Sequence, residues 1–388
     1  MKRPAPAASD LKMEQALAEQ GIGMRATHRR KKEQAVRRLR TISTELKESM
    51  RAMKVSFTEA ASVTTATVEK YQRAIEKFLA ATEQKEVTLD LHKLDDLVVT
   101  YFDQCCLEGL GAGAGSLLLA ALHFRLPRLV GRGCVQLPRA IRSQKGWQKL
   151  RPTQTKQPLP WNLCMAIARC LKETNGIAWA LAWLVMVDSY LRPSEALRLQ
   201  ASQVLQPSRD FGMRGTTLYL NPIALGRRSK TGELDESVAI NRPFIGKAIA
   251  RLALMKRRGE VLFGPTLAEM RNAFVRAAHR CGVGHLQPVL YMGRHSGASL
   301  DSLEGRLKLE EIKKRGRWRT DASVRRYEKH ALVQKVWLEM AETDRRFARR
   351  AAATLPVELS AFGRGAVGTA SGRASCLSSS TSSAARRE

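Results

Sequence analysis

Acidic residues are scarce in this chain. Its 388 residues carry 36 Asp and Glu against 66 Lys and Arg, a formal net charge of +30. Such a field attracts polyanions and opposes self-association at low salt; nucleic acid is the partner it suits. Cysteine is sparse too: Cys105, Cys106, Cys134, Cys164, Cys170, Cys281 and Cys376 are odd in number and form no CxxC pair or Cys/His cluster. A disulfide scaffold and a structural zinc site are thereby disfavoured, and the expectation is reduced thiols in an intracellular protein. Long apolar runs are missing. The longest, Ile177 to Val187, is shorter than the ~18 residues a membrane span needs, and the start MKRPAPAASD has no apolar signal-peptide stretch. No long apolar helix with one basic face is present to lie on a membrane surface. A Walker-type GxxxxGK loop is also absent. The expectation is a soluble protein without membrane partner, cofactor or metal.

What is present divides along the chain. Residues 1–55 are basic, with HRRKK at His28 to Lys32 and RRLR at Arg37 to Arg40, and read as a partly disordered arm suited to nuclear import or DNA backbone contact. Residues 56–150 read as a small helical domain. Val68, Tyr71, Ile75, Phe78 and Leu79 form the stripe of an amphipathic helix, and LDDLVVTYFDQCC is a second helix. The glycine-rich GLGAGAG is expected as a loop, with Ser116 capping the apolar SLLLAALHF. Arg125, Arg128, Arg132, Arg139, Arg142, Lys145 and Lys149 follow with almost no acidic neighbours, as a face laid along a phosphate backbone would require.

Residues 151–160, RPTQTKQPLP, hold three prolines and read as a linker. Residues 161–350 carry the larger core. GIAWALAWLVMVDSYL looks like a helix buried on most sides, and strands are expected at Thr216 to Leu220 and Glu236 to Ile240, flanking the polar GRRSKTGELD. Residues 351–388, rich in Ser, Ala and Gly, are expected as a disordered tail. The fold class is therefore mainly α with a small β-sheet.

Three segments carry candidate chemistry. SYLRPSEALRL places Arg192 three residues before Glu195 at the edge of a buried helix; alone, that is an ordinary helix cap with an ion pair. LYMGRHSGASL places Arg294 and His295 at a helix start, where backbone N–H groups and a guanidinium suit an anion, and where Ser296, Gly297, Ala298 and Ser299 allow another backbone to approach closely. EEIKKRGRWRTDASVRRYEKH ends one helix at Gly316 and starts another at Thr320 or Asp321, with Tyr327 in its second turn. Arg325, Arg326 and Lys329 surround that tyrosine with cations, which is expected to lower its pKa.

In order and spacing these residues resemble the tyrosine recombinases, the phage integrase family. Arg192 with Glu195 matches the first arginine box, and Lys230 in RRSKTG the lysine of the family's β-hairpin turn. Tyr291, Met292, Gly293, Arg294 and His295 match the second box, H-x-x-R-H. Trp318 matches the His/Trp position and Tyr327 the nucleophile. One position departs: Tyr291 stands where the family has histidine, and His295, which follows Arg294, does not substitute for it. The spelling GRW at Gly316 to Trp318 resembles the recombinases of DIRS-like and Crypton-like eukaryotic mobile elements. The resemblance spans roughly residues 160–345, with a weaker one, to the family's core-binding domain, before it.

The resemblance implies a site-specific recombinase or integrase that cuts DNA through a 3′-phosphotyrosine. Arg192, Arg294 and Trp318 would hold the phosphate, Lys230 would protonate the leaving 5′ oxygen, and Glu195 would steady Arg192. It further implies double-stranded DNA as partner and a homo-oligomer, a tetramer on DNA, joined through the helix bearing Val333, Val336, Trp337 and Met340; those residues equally suit packing on the chain's own core. Localisation would be nuclear in a eukaryote and cytoplasmic otherwise. Two other readings stay open: a catalytically inactive DNA-binding relic, motivated by Tyr291, and a type IB topoisomerase.

Overall fold

The computed structural model describes residues 51, 53–60, 62–131, 134–135, 137–152, 156–210, 212–220, 222–225, 235–325, 327 and 329–363. The basic runs before residue 51, Lys230 and the chain beyond residue 363 lie outside the described residues. The chain divides into two compact units, Met1–Gln154 and Thr155–Glu388. Among the described residues no helix is long and apolar enough to cross a membrane.

Among the described residues the first unit holds a short helix, Phe57–Ala60, and four longer ones, α1 (Thr65–Ala81), α2 (Leu91–Leu107), α3 (Gly113–Arg125) and α4 (Pro138–Leu150), with the short antiparallel strands β1 (Val130–Gly131) and β2 (Cys134–Val135) before α4. The stripe of α1 buries Val68, Ile75 and Phe78 against Leu94, Val98 and Phe102 of α2. Asp95, buried on α2, accepts the backbone N–H groups of Arg139 and Ala140 at 3.0 and 2.8 Å. A carboxylate thereby caps the first turn of α4 from another helix, where orphan N–H groups and the helix dipole favour negative charge. Along α4, Arg142, Lys145 and Lys149 are exposed, while Arg139 pairs with Asp96, so the basic row is less free of acid than its sequence neighbourhood indicates.

The glycine-rich stretch is not all loop. Helix α3 already begins at Gly113, and Ser116 sits inside its first turn, accepting from Gln144 Nε2 at 2.8 Å rather than capping the end. The reason is packing: a Cβ on Gly115 would collide with the Gln144 side chain and come within 2.8 Å of the Trp147 ring.

The second unit surrounds α5 (Trp161–Asn175) and α6 (Ile177–Asp188), which are buried from Leu163 to Ala168 and from Ala180 to Asp188. After the turn α7 (Pro193–Ala196), strands β3 (Val204–Leu205), β4 (Thr217–Leu220) and β5 (Glu236–Ala239) form an antiparallel sheet in that order, with Leu218 opposite Val238. Strand β3 has no long alternating pattern to betray it. Helices α8 (Pro243–Leu254), α9 (Leu267–Arg280), α10 (Met292–Leu303), α11 (Leu309–Gly316), α12 (Asp321–Arg325), α13 (His330–Glu339) and α14 (Glu342–Ala361) complete the unit. The fold is thus mainly α with a small sheet.

Two details bear on the expectations above. Val336 of α13 and Met340 just after it are buried in this unit's own main core, with Trp337 packed partly against it. Residues 351–361, expected as the start of a disordered tail, instead continue α14 through Pro356. Ala348, Ala351, Leu355 and Leu359 form one buried stripe, and Glu358 accepts from Arg169 at 2.6 Å and pairs with Lys172. Proline removes one helical hydrogen bond, and burial on both sides of it outweighs that loss.

Helix α10 approaches α6 unusually closely. A Cβ on Gly297 would collide with the carbonyl oxygen of Val187 and lie 2.7 Å from the Tyr190 ring. Gly297→Ala should therefore cost about 1–3 kcal/mol or more, as overpacked cores do. Gly146→Ala on α4, where an added Cβ meets nothing within 4 Å, should stabilise by roughly 0.5–1 kcal/mol. Urea unfolding of the two variants checks the opposite signs.

Candidate active site

The sequence-predicted residues converge at the end of α6. Arg192 is the N-cap of α7, and Glu195 reaches back to it: Arg192 N donates to Glu195 Oε2 at 2.9 Å and its Nη1 to Oε1 at 2.6 Å. This is the helix cap the spacing predicts. Its carboxylate does more, because Arg317 Nη2 also donates to Glu195 Oε2, at 2.5 Å, while Arg317 Nη1 donates to Glu236 at 3.1 Å. Burial works to raise the Glu195 pKa, but Arg317 and Arg192 outweigh it and hold the carboxyl below its ordinary range.

Arg294, on the first turn of α10, is 1% exposed. Its Nη1 donates to the Tyr190 carbonyl at 2.6 Å and its Nη2 to the Gly316 carbonyl, while Nε is buried with no hydrogen-bond partner among the described residues. The guanidinium lies 4.5 Å from the Trp318 ring centroid, a cation–π contact. Burial pushes its pKa below the usual guanidinium range, and the positive charges of Arg192 and Arg317 push the same way. Three guanidinium groups therefore feel one another here, and the most deeply buried has an unsatisfied donor.

Trp318 sits between rings, its centroid 4.5 Å from that of Tyr327 and 6.1 Å from that of Tyr190, on which it stacks. Gly316 makes room for it, since a Cβ there would overlap the indole. Tyr327 is buried, and its carbonyl accepts from Ser299 Oγ of α10. His295 lies against both tyrosines, with centroids 4.7 Å from Tyr327 and 5.3 Å from Tyr291. Tyr291, immediately before α10, is exposed.

Tyr327 corrects two expectations. It lies beyond the five-residue α12, in a turn before α13, because α12 ends at Arg325. Its pKa is raised, not lowered. Burial is the largest cause, and Tyr291 adds to it; Arg294 opposes them without prevailing. The neighbouring sequence cations do not dominate, since removing a phenolate from water costs more than nearby charge returns. The charges of Tyr291 and Arg294 both act on the Tyr327 hydroxyl, and the His295 ring lies against both tyrosines, which brings these groups to one place.

The structure thus brings together Arg192, Glu195, Tyr291, Arg294, His295, Trp318 and Tyr327. Lys230 lies outside the described residues, between β4 and β5. Sequence reasoning missed Arg317, Tyr190 and Asp301. Tyr190 donates to the buried Asp301 through its hydroxyl, which anchors the ring under Trp318. Asp188, fully buried, accepts from Arg242 at 2.9 Å and Arg315 at 3.2 Å, while Arg315 also donates to the Asp188 carbonyl. The signal for these was faint: acids inside apolar helix patterns, and a non-glycine residue after a helix end.

No protein-family model and no curated protein matches the chain. Among solved structures it is similar to XerA recombinase, at 13% identity and a TM-score of 0.35, covering 76% of this chain and 98% of that one. It is also similar to a lambda integrase (75–356) dimer bound to a COC′ core site, at 14% and 0.49, covering 69% and 90%. A third is XerH site-specific recombinase bound to palindromic difH substrate, at 14% and 0.48, covering 71% and 80%. These likenesses are weak in both measures, and the reading of the site rests on its own side chains.

His295 supplies a pH test. Burial, then the charges of Lys329 and Arg294, lower its pKa to about 4, whereas an unfolded chain protonates it near ~6.5. Between those values the unfolded state binds the extra proton, so stability should fall as pH drops from about 6.5 to 4 and this contribution should level off below. Thermal unfolding of His295→Gln across that window should show a smaller fall than the wild-type protein.

Proposed function

We propose that this protein cleaves and rejoins double-stranded DNA through a 3′-phosphotyrosine on Tyr327. The observation that carries the reading is the buried Arg294 guanidinium with an unsatisfied Nε, held beside the side chains of Tyr327 and Trp318. A buried donor left unpaired costs about 1–3 kcal/mol, and an anionic phosphate oxygen would satisfy it. The net charge of +30 and the exposed Arg142, Lys145 and Lys149 of α4 support a long polyanion as the source of that phosphate.

The chemistry follows from the problem a phosphodiester poses: its charge repels nucleophiles and its leaving alkoxide is a strong base. Arg192 and Arg294 offset charge on the non-bridging oxygens as it builds in the transition state. The Tyr327 oxygen forms a bond to phosphorus, and the bond from phosphorus to the 5′ oxygen breaks. That oxygen takes a proton from Lys230, acting as general acid. As the Tyr327 proton leaves, the exposed Tyr291 hydroxyl accepts it and gives its own proton to water, so the relay stays neutral and the proton ends in solvent. The phosphotyrosine conserves the energy of the diester, so a 5′ hydroxyl of another strand can reverse the step without ATP. Exchange between two DNA sites calls for more than one protomer, as the resemblance implies.

The test is covalent trapping. Full-length protein incubated with nicked DNA from the flanks of its own gene, carrying a 5′-bridging phosphorothiolate, should yield a protein–DNA adduct. Tyr327→Phe should abolish it and leave DNA binding unchanged; an equal yield from that variant would overturn the assignment. Arg294→Ala should slow adduct formation by on the order of 10²–10³-fold, as loss of a preorganised donor does. Lys230→Ala should fail on ordinary DNA yet cleave the phosphorothiolate, whose thiolate leaves without a proton.

A second reading has its own observation. Tyr291 stands at the position where a histidine relay would be, and burial raises the Tyr327 pKa; both suit a DNA-binding protein that no longer cleaves. That reading expects salt-sensitive binding, no adduct from the wild-type chain, and adduct formation restored by Tyr291→His.

A further inference from the structure

We infer that Arg317 is a positioning residue, whose guanidinium clamps Glu195 and Glu236 together and so sets where Arg192 stands. The inference rests on the phosphoryl-transfer reading above and adds to it a residue outside the reacting groups.

The backbone is the first observation. Arg317 is the residue after α11 and has φ of 54°, the left-handed region. Glycine is the common occupant of that position because other L residues pay a steric cost there. A side chain kept at such a site has something to hold. Here it is 7% exposed and bridges two carboxylates from separate segments, Glu195 of α7 and Glu236 at the start of β5. A planar fork holds the two carboxylates on separate Nη nitrogens, a spacing that a single ammonium nitrogen does not reproduce.

The second observation is how Glu195 is shared. Its Oε1 accepts from Arg192 Nη1, and its Oε2 accepts from both Arg192 N and Arg317 Nη2. Any rotation of that carboxylate moves Arg192. With Arg317 in place the charge of Glu195 is divided between two guanidinium groups, which leaves Arg192 more of its own for a phosphate. Without Arg317, Glu195 and Glu236 lose their common cation, and Glu195 draws on Arg192 alone.

The third is that three consecutive residues act on both arginines. The Gly316 carbonyl accepts from Arg294, Arg317 holds the partner of Arg192, and the Trp318 ring covers Arg294 and meets Tyr327. One short segment therefore sets the spacing of the two cations and the tyrosine.

The experiment uses Arg317→Gly, which keeps the left-handed backbone at no steric cost while deleting the guanidinium. Adduct formation under single-turnover conditions, DNA affinity and the unfolding midpoint are measured in parallel. The expected result is a rate lower by on the order of 10²-fold, the effect of a small misplacement of a reacting group, with DNA affinity retained. Millimolar guanidinium chloride should restore part of that rate, and the same concentration of sodium chloride should not. Arg317→Lys, which keeps the charge without the fork, should remain slow, and it replaces the glycine variant if that one fails to fold. Wild-type rates in either folded variant overturn the inference. So does a parallel loss of rate and DNA affinity without guanidinium rescue, which would mark a structural role. If wild-type protein forms no adduct, the phosphoryl-transfer reading itself fails and the inference falls with it; an adduct from wild-type protein with unaffected variants sinks the inference alone.

Discussion

A guanidinium buried to 1% exposure is expensive unless its environment answers it, and the second unit is arranged around answering Arg294. Carbonyls from Tyr190 and Gly316 take two of its donor groups, and the Trp318 ring covers its face. Those three groups come from the segment after α6 and from the end of α11 with the residues that follow it. Their approach depends on Gly297, which lets α10 sit against the carbonyl of Val187, and on Gly316, which admits the indole. The remaining donor, Nε, is buried with no partner among the described residues.

Around this centre lie further charges that are buried in partnership. Asp188 joins α6 to the start of α8 through Arg242 and to α11 through Arg315, and Arg242 lies 3.8 Å over the Trp161 ring. Glu195 and Glu236 join α7 and β5 to the residue before Trp318. Such pairs add little net stability after desolvation, but breaking one strands its partner in a low-dielectric interior. Their effect is to hold α6, α8, α11 and the sheet in one arrangement, and that arrangement is the geometry of the site.

Much of the fold was legible in the residues. The Val68, Ile75 and Phe78 stripe and the apolar run Ile177 to Val187 became buried helices, and Thr217–Leu220 and Glu236–Ala239 became paired strands. Elsewhere the local rules misled for identifiable reasons. Gly115 resembled a turn residue, yet its lack of a side chain serves the Trp147 contact inside a helix. Residues 351–361 resembled the start of a disordered tail, yet Leu355 and Leu359 continue a buried stripe across Pro356. Arg325 and Lys329 suggested a lowered pKa for Tyr327, yet burial decides its direction. Arg317 gave only the faint sign of a non-glycine residue after a helix end, because its partners lie far from it in the chain.

The candidate site divides in the same way. Residue order and spacing, through the resemblance they carry, sufficed to name Arg192, Glu195, Tyr291, Arg294, His295, Trp318 and Tyr327, since helix caps and helix starts are local and their side chains can be read in sequence. Tertiary structure alone decided that Arg294 is buried with an open donor, that Glu195 serves two arginines, and that Tyr291 and Tyr327 both lie against the His295 ring. Each of these depends on which groups are withdrawn from water and which meet across long separations, and no local pattern encodes either.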